Sequence, residues 1–349
     1  MRYLHKASYF LAVVMVNLFV LTVGCTPVAE KSTKVDVEPP LEKKSTRSAP
    51  AQAAMLVLMF IPQDSVTYKV IVEAQKSVKW EGPLAKKPNA FKGGRTSTKI
   101  EMTFAQTIHN VDDNGNAIAE ITIKDLIYLA QVANDVVLDF DSSKEKDPNS
   151  PLKKLVGQSY TIEISPAGQV LKVIDTKQAQ TVIKGNTRIY EAALQLLDEE
   201  VVKQRHTIPA LAILKDKNQF RPGEKWSEIE TLSFDMMGFK TYEKTYELKE
   251  IEDADGYLVA VAEMNAIPST ELAEDANQNR QANIFSRMFD NIEKYTGQLR
   301  FDLTAGNVQQ CHEKLEVEWV IADPSTKQGE EPSVIRMKAD RFYSMERVD

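Results

Sequence analysis

The chain has 349 residues, 43% of them hydrophobic, and a formal net charge of −7. It is long enough to bury a large core and too acidic for nucleic acid, or for adhesion to anionic headgroups by charge alone. Two cysteines over that length exclude a scaffold built on disulfides.

Met1–Gly24 opens with Arg2 and Lys6, continues as an apolar run from Ala7 to Val23, and ends at Leu21-Thr22-Val23-Gly24-Cys25. A positive start followed by an apolar stretch is the order of an exported precursor. The run is shorter than the roughly 20 apolar residues that cross a bilayer comfortably. Leu21–Cys25 resembles a lipobox, the processing signal of bacterial lipoproteins, with Thr22 where leucine is commonest. That resemblance implies cleavage between Gly24 and Cys25 and attachment of diacylglycerol to Cys25. Thr26 after it implies outer-membrane sorting, facing the periplasm, in a Gram-negative cell. Two acyl chains meet the physical requirement for stable anchoring. Losing Arg2 and Lys6 takes the net charge from −7 to −9.

Residues 25–52 carry Pro27, Pro39, Pro40 and Pro50 among Lys, Glu, Ser and Thr, with few large apolar residues. Such a segment buries too little surface to offset its ordering entropy and reads as a disordered tether.

From Ala53 onward the pattern is strand-like. Val66-Tyr68-Val70-Val72, Tyr160-Ile162-Ile164, Leu299-Phe301-Leu303 and Leu315-Val317-Trp319-Ile321 each alternate with polar neighbours. A period of two sets one face on a core and the other in water, the mark of antiparallel sheets. Asn114-Gly115, Ala167-Gly168, Asp255-Gly256 and Ala305-Gly306 supply turns between such runs. Two helices are predicted: Asn186–Gln204, with Ile189, Ala192, Ala193, Leu196, Leu197 and Val201 on one face, and Ala273–Lys294, with Ile284, Met288, Phe289 and Ile292. The predicted class is mainly β with one or two helices, built on curved antiparallel sheet.

The halves resemble each other. Gly157-Gln158 and Gly297-Gln298 lie 140 residues apart, and the Asx-Gly turns 141, with strands and Ala-Gly turns in the same order. This predicts a duplicated unit of about 140 residues, 53–206 and 207–349, forming one compact body.

Motifs with chemistry are scarce. Asp112-Asp113-Asn114-Gly115-Asn116 suggests calcium, but an EF-type loop needs glycine sixth and a carboxylate twelfth, where Ala117 and Ile123 stand. It reads as a hairpin turn. Asp139 and Asp141 share one side of a strand without a second acid pair, so they read as strand-end polarity. His109, His206 and His312 lack zinc spacing. Phe91–Arg95 is a basic, glycine-bearing loop, and Trp226 after Arg221-Pro222-Gly223-Glu224-Lys225 reads as a core anchor. No nucleophile elbow, P-loop or dinucleotide fingerprint occurs. The chain reads as no enzyme, with no cofactor and no metal site.

The lipobox, Phe140-Asp141-Ser142, the strands flanking Ala167-Gly168-Gln169-Val170, and Pro222-Gly223-Glu224-Lys225-Trp226 together resemble an uncharacterised family of bacterial envelope lipoproteins, a domain of unknown function, over Leu56–Val348. The resemblance implies a fold and no activity. The architecture is also similar to the half-barrel lipid carriers of the envelope. Two functions follow as expectations. One is binding of a hydrophobic or lipid ligand on an apolar concave face, with Met55, Met59, Met236, Met237 and Met288 as adaptable lining. The other is a structural or assembly role, docking an envelope protein partner.

With Cys25 lipidated, Cys311 has no partner. The mature chain should therefore show one mobility in reducing and non-reducing electrophoresis; a shift on reduction would overturn the assignment.

Overall fold

The computed structural model describes residues 53–82, 93–214, 218–234, 238–254, 256–269, 290–322 and 333–348. The export signal, the lipobox with Gly24 and Cys25, and the tether lie outside them, as do Met236, Met237 and Met288.

The strands are β1 (Ala54–Met55), β2 (Ser65–Glu81), β3 (Gly94–Val111), β4 (Ala117–Val132), β5 (Asp135–Asp141), β6 (Ser159–Ile164), β7 (Val170–Asp175), β8 (Gln219–Phe220), β9 (Lys225–Ser233), β10 (Phe239–Ala254), β11 (Tyr257–Pro268), β12 (Asp290–Asp302), β13 (Asn307–Ala322) and β14 (Val334–Arg347). Five short helices join them: α1 (Pro151–Leu155), α2 (Lys177–Thr181), α3 (Arg188–Gln195), α4 (Glu199–His206) and α5 (Pro209–Ala212). The mainly β class holds, with more and shorter helices than the sequence suggested.

One antiparallel sheet runs β7-β6-β4-β3-β2-β14-β13-β12-β11-β10-β9, with β5 added to β4, and it does not close into a barrel. Its seam is the pairing of β2 with β14, from Tyr68↔Arg347 to Glu81↔Val334, which joins the start of the sheet to its end. In a flat sheet β14 and β9, five strands apart, would stand about 24 Å from each other. Yet Arg341 of β14 donates to the carbonyl of Ser233 at the end of β9, and the rings of Phe234 and Trp319 meet edge to face at 5.3 Å. The sheet is therefore curled.

Its contents explain the curl. Between α4 and α5 the chain touches strands from one edge to the other. Arg205 reaches Tyr160 of β6 and Met102 of β3, and the Val170 amide of β7 donates to Thr207 Oγ1. Tyr343 of β14 donates to the carbonyls of Arg205 and Thr207, and Trp226 of β9 to that of Ala210 at 3.0 Å. Trp226 is buried, stacked at 7° on Tyr246 and packed against Phe220, which makes it the core anchor expected.

Two helical expectations change. Asn186–Gln204 is broken at Leu196–Asp198: Asp198 accepts from the Glu200 amide and starts α4 as its N-cap. The break lets Leu196 and Leu197 both face the core, while Ile189 stays exposed. Of Ala273–Lys294, residues 273–289 lie outside the described residues and Asp290–Lys294 is strand, paired with β13. Long-range pairing overrides the weak helical pattern there, and Ile292 points to solvent. The stretch between Ile123 and Gly157 continues β4 to Val132 and adds β5 and α1.

The order β2-β3-β4-β6-β7 recurs across the sheet as β9-β10-β11-β12-β13, in the same strand directions. The two Gly-Gln pairs do not coincide in this arrangement. Gly157 follows α1 at φ +85°, whereas Gly297 lies inside β12, where a Cβ would meet the His312 carbonyl at 2.7 Å. A common order alone does not establish duplication.

Trp226→Ala should cost about 3–5 kcal/mol, since it empties the contact of β9, β10 and α5 at once. Urea unfolding of wild type and variant measures it.

Candidate functional site

Ala54–Ile61 crosses one end of the curl and closes it. β1 pairs with β8, Leu58 donates to the Pro166 carbonyl, Met59 to that of Gly306, and Gln63 to that of Ile108. Alternation decides the rest: Ala54, Leu56 and Leu58 point inward and are buried, while Met55 and Met59 point outward, with Ile61 exposed beyond them. Met59 lies over Gly306, where a Cβ would meet its side chain at 2.5 Å, so only glycine fits beneath. Met55 and Met59, two of the methionines expected to line a concave face, are thus exposed on the outer side of the closing segment, with Met59 also at the wall of the cleft beneath it.

Beneath this closing segment is a cleft of mixed character: Leu58, Met59, Phe60, Ile61, Ile164 and Met345 supply apolar walls, and Asp64, Gln106, His206 and Asn307 polar ones. It encloses about 40 Å³, room for a water or two rather than for an acyl chain. His206 Nε2 lies 2.6 Å from the Tyr160 hydroxyl, and its ring meets Phe104 edge on at 4.6 Å. Its Nδ1 is buried without a partner. Burial first, and the Arg205 charge second, push its pKa well below the imidazole range, so the ring is neutral. Arg205 is itself buried and bonds the Leu196 carbonyl at 3.0 Å, with no carboxylate partner among the described residues.

The other half of the curl holds a different interior. Lys244 of β10, 2% exposed, lies 3.2 Å from Glu228, 3.3 Å from Glu230 and 3.0 Å from Glu313. The Tyr246 hydroxyl donates to Glu313, and that of Tyr295 stands 2.7 Å from Glu313 and 2.9 Å from Glu230. Burial opposes the charge on Lys244, but Glu230, Glu313 and Glu228 outweigh it and raise its pKa. Burial raises Glu228 to about 7 against the pull of Lys244, with Glu230 adding to the rise. Three carboxylates around one cation carry a nominal excess of negative charge, and a proton on Glu228 reduces it. No group of three or more His, Cys, Asp or Glu residues among the described ones is placed to hold a metal; Lys244 takes the centre the three glutamates share.

The remaining candidates are dispersed. Asp112 accepts from the Asn114 and Asn116 amides at 2.8 Å each, a hairpin turn. Asp141 ends β5, drawn down to about 2 first by Lys144 and then by Ser143, and Asp139 beside it is exposed. His109 faces Glu120 on the surface, and His312 lies on β13 away from both. Phe91 and Lys92 lie outside the described residues, and Gly94 and Arg95 open β3. Cys311 is free and buried, its thiol pushed up to about 12 by burial and then by Glu313. The ionic cluster escaped sequence reading because Glu228, Glu230, Lys244 and Glu313 look like a solvated face. The available signal was Tyr242-Lys244-Tyr246, a lysine between two tyrosines at strand spacing.

The model of a family of unknown function, DUF6263, matches residues 114–308, more than half of the 349-residue chain. The chain belongs to that family. The match starts in the turn after β3 and ends in β13. It accords with an uncharacterised domain and carries no information about lipid attachment or the envelope. No curated protein matches the chain. One solved structure, of lipovitellin studied for its lipid–protein interactions, is similar over 83% of this chain and 25% of its own, at 12% identity and a TM-score of 0.37. This chain thus spans a quarter of that one, and a likeness so distant supports nothing about function.

Glu228 should make stability fall with rising pH. Its pKa is about 7 in the fold against 4.5 for the free group. The folded state holds the proton more tightly, so its contribution is complete below the lower value and lost as pH rises through the upper one. The loss is at most about 3 kcal/mol between those limits. Glu228→Gln should flatten that decline and be the more stable protein at pH 8, as read from urea midpoints across pH 5–8.

Proposed function

We propose that this chain is a non-catalytic lipoprotein of the bacterial envelope, held at the membrane through Cys25, that binds a hydrophobic ligand at the closed end of its curled sheet. The single observation that supports this reading is the cleft under Ala54–Ile61, with Leu58, Phe60, Ile164 and Met345 as its apolar walls, on the same segment from which the chain runs back toward Cys25. The broad concave surface is a poorer candidate. In one half it is filled by the α3–α5 helices and in the other by the Lys244 cluster. A chain-like ligand enters by displacing the outer part of the closing segment, Met59 to Ile61, which is more exposed than the buried Ala54, Leu56 and Leu58 before it. Partly buried Val66 lines the cleft, and His206 offers a polar atom inside.

The assembly reading draws on the edge at β7, where Leu171 and Ile174 are exposed on a strand that, among the described residues, pairs only with β6. An edge of this kind accepts a partner's strand.

Full-length protein carrying Cys25→Ser, so that no acyl chain of its own competes, should take up a fluorescent fatty acid. Val66→Phe, which fills part of the cleft from a partly exposed position, should weaken uptake about tenfold, a difference of about 1.4 kcal/mol. No uptake by the Cys25→Ser protein would eliminate the ligand reading and leave the edge strand as the better candidate.

A further inference from the structure

We infer that the closed end of the curl rests against the bilayer, so that Met55, Met59, Ile61 and Tyr257 enter the lipid interface alongside the acyl anchor. The inference rests on the anchorage proposed above and does not require the cleft to hold a ligand, although Met59 and Ile61 also stand at its wall.

Two observations carry it. The first is the character of the surface. Met55 and Met59 form the outward row of the closing segment, and Ile61 continues it at 62% exposure. Tyr257 joins them: Leu258 donates to Thr304 in the same turn whose Gly306 lies under Met59. Exposed methionine, isoleucine and tyrosine side by side match an interface that is apolar on one side and wet on the other.

The second is where the chain leaves. Residue 53 is the first described, and the route from Cys25 through Thr26–Gln52 ends on this closing segment. An anchor at the far end of so short a leash keeps this end of the domain near lipid at high effective concentration.

Charge does not supply the attraction. Asp64 and the Asp112–Asp113 turn stand at the same end and are exposed. Contact is therefore apolar, and it should not strengthen with the anionic lipid content of the vesicle.

Exposed apolar residues also occur at the opposite end, which provides a matched control. Ile267 is 61% exposed and lies ten residues along β11 from Tyr257, about 33 Å away by strand rise.

The test reconstitutes the full lipidated protein in phosphatidylethanolamine–phosphatidylglycerol vesicles whose acyl chains are brominated, with Ile61→Trp or Ile267→Trp added to the three native tryptophans. The added emission of Ile61→Trp should be quenched severalfold more than that of Ile267→Trp. Flotation of both proteins with equal quenching, or with none, would overturn the inference alone. Failure of either to float with the vesicles would overturn the anchorage and this inference with it. Fatty-acid uptake in solution is unaffected by either result, so the ligand reading stands or falls separately.

Discussion

The constraint on which this fold depends is that an eleven-strand path has one large face to bury and no second sheet to bury it against. The sheet meets that need by curling around the short chain between α4 and α5. Tyr343, Trp226 and the Val170 amide grip its carbonyls and the Thr207 hydroxyl from three separate strands. That occupant also explains why the sheet stays open. With α4 lying along β7 and the Arg205–Ala210 chain in the middle, the edges β7 and β9 cannot meet. Barrel closure would satisfy the edge groups but expel the helices whose leucines fill the core.

The two halves solve their interiors by different chemistry. Around α3 and α4 the inward residues are Met102, Phe104, Ile121, Ile123 and Ile162, a packed apolar core. Between β9 and β14 the same inward positions carry Glu228, Glu230, Lys244 and Glu313, where removing Lys244 would leave buried carboxylates uncompensated. A core of that second kind constrains geometry more than it adds stability, because tyrosine hydroxyls and the ammonium must all find their acceptors at once. It also places a titratable carboxyl near neutrality inside the fold, which an apolar half could not do. The closing segment Ala54–Ile61 spans the end of the curl, and the features with functional promise collect there.

Much of the fold was legible. Strands at Val66–Val72, Tyr160–Ile164 and Leu315–Ile321 announced themselves by alternation, and the Asn114-Gly115 and Ala305-Gly306 turns by their backbone needs. The site was less legible, for a definite reason. Alternation tells which residues share a face and not which face is inside once a polar set is buried. The Met55 and Met59 pair was correctly marked as adaptable and apolar, but its side was assigned by hydrophobicity, and the closing segment turns it outward. Helix Asn186–Gln204 failed similarly: its stripe is real, yet Asp198 caps a new helix so that two leucines reach one core.

The sequence by itself determined the class, a mainly antiparallel sheet with few helices, and the turns between its strands. These follow from local rules, period two and turn chemistry. Tertiary structure decided the rest: the β2–β14 seam, the curl, the ionic interior and the end that the chain closes with its own first strand. Those features join residues hundreds of positions apart, such as Glu81 with Val334. No local pattern encodes which distant strand will supply the partner for a hydrogen bond or for a charge.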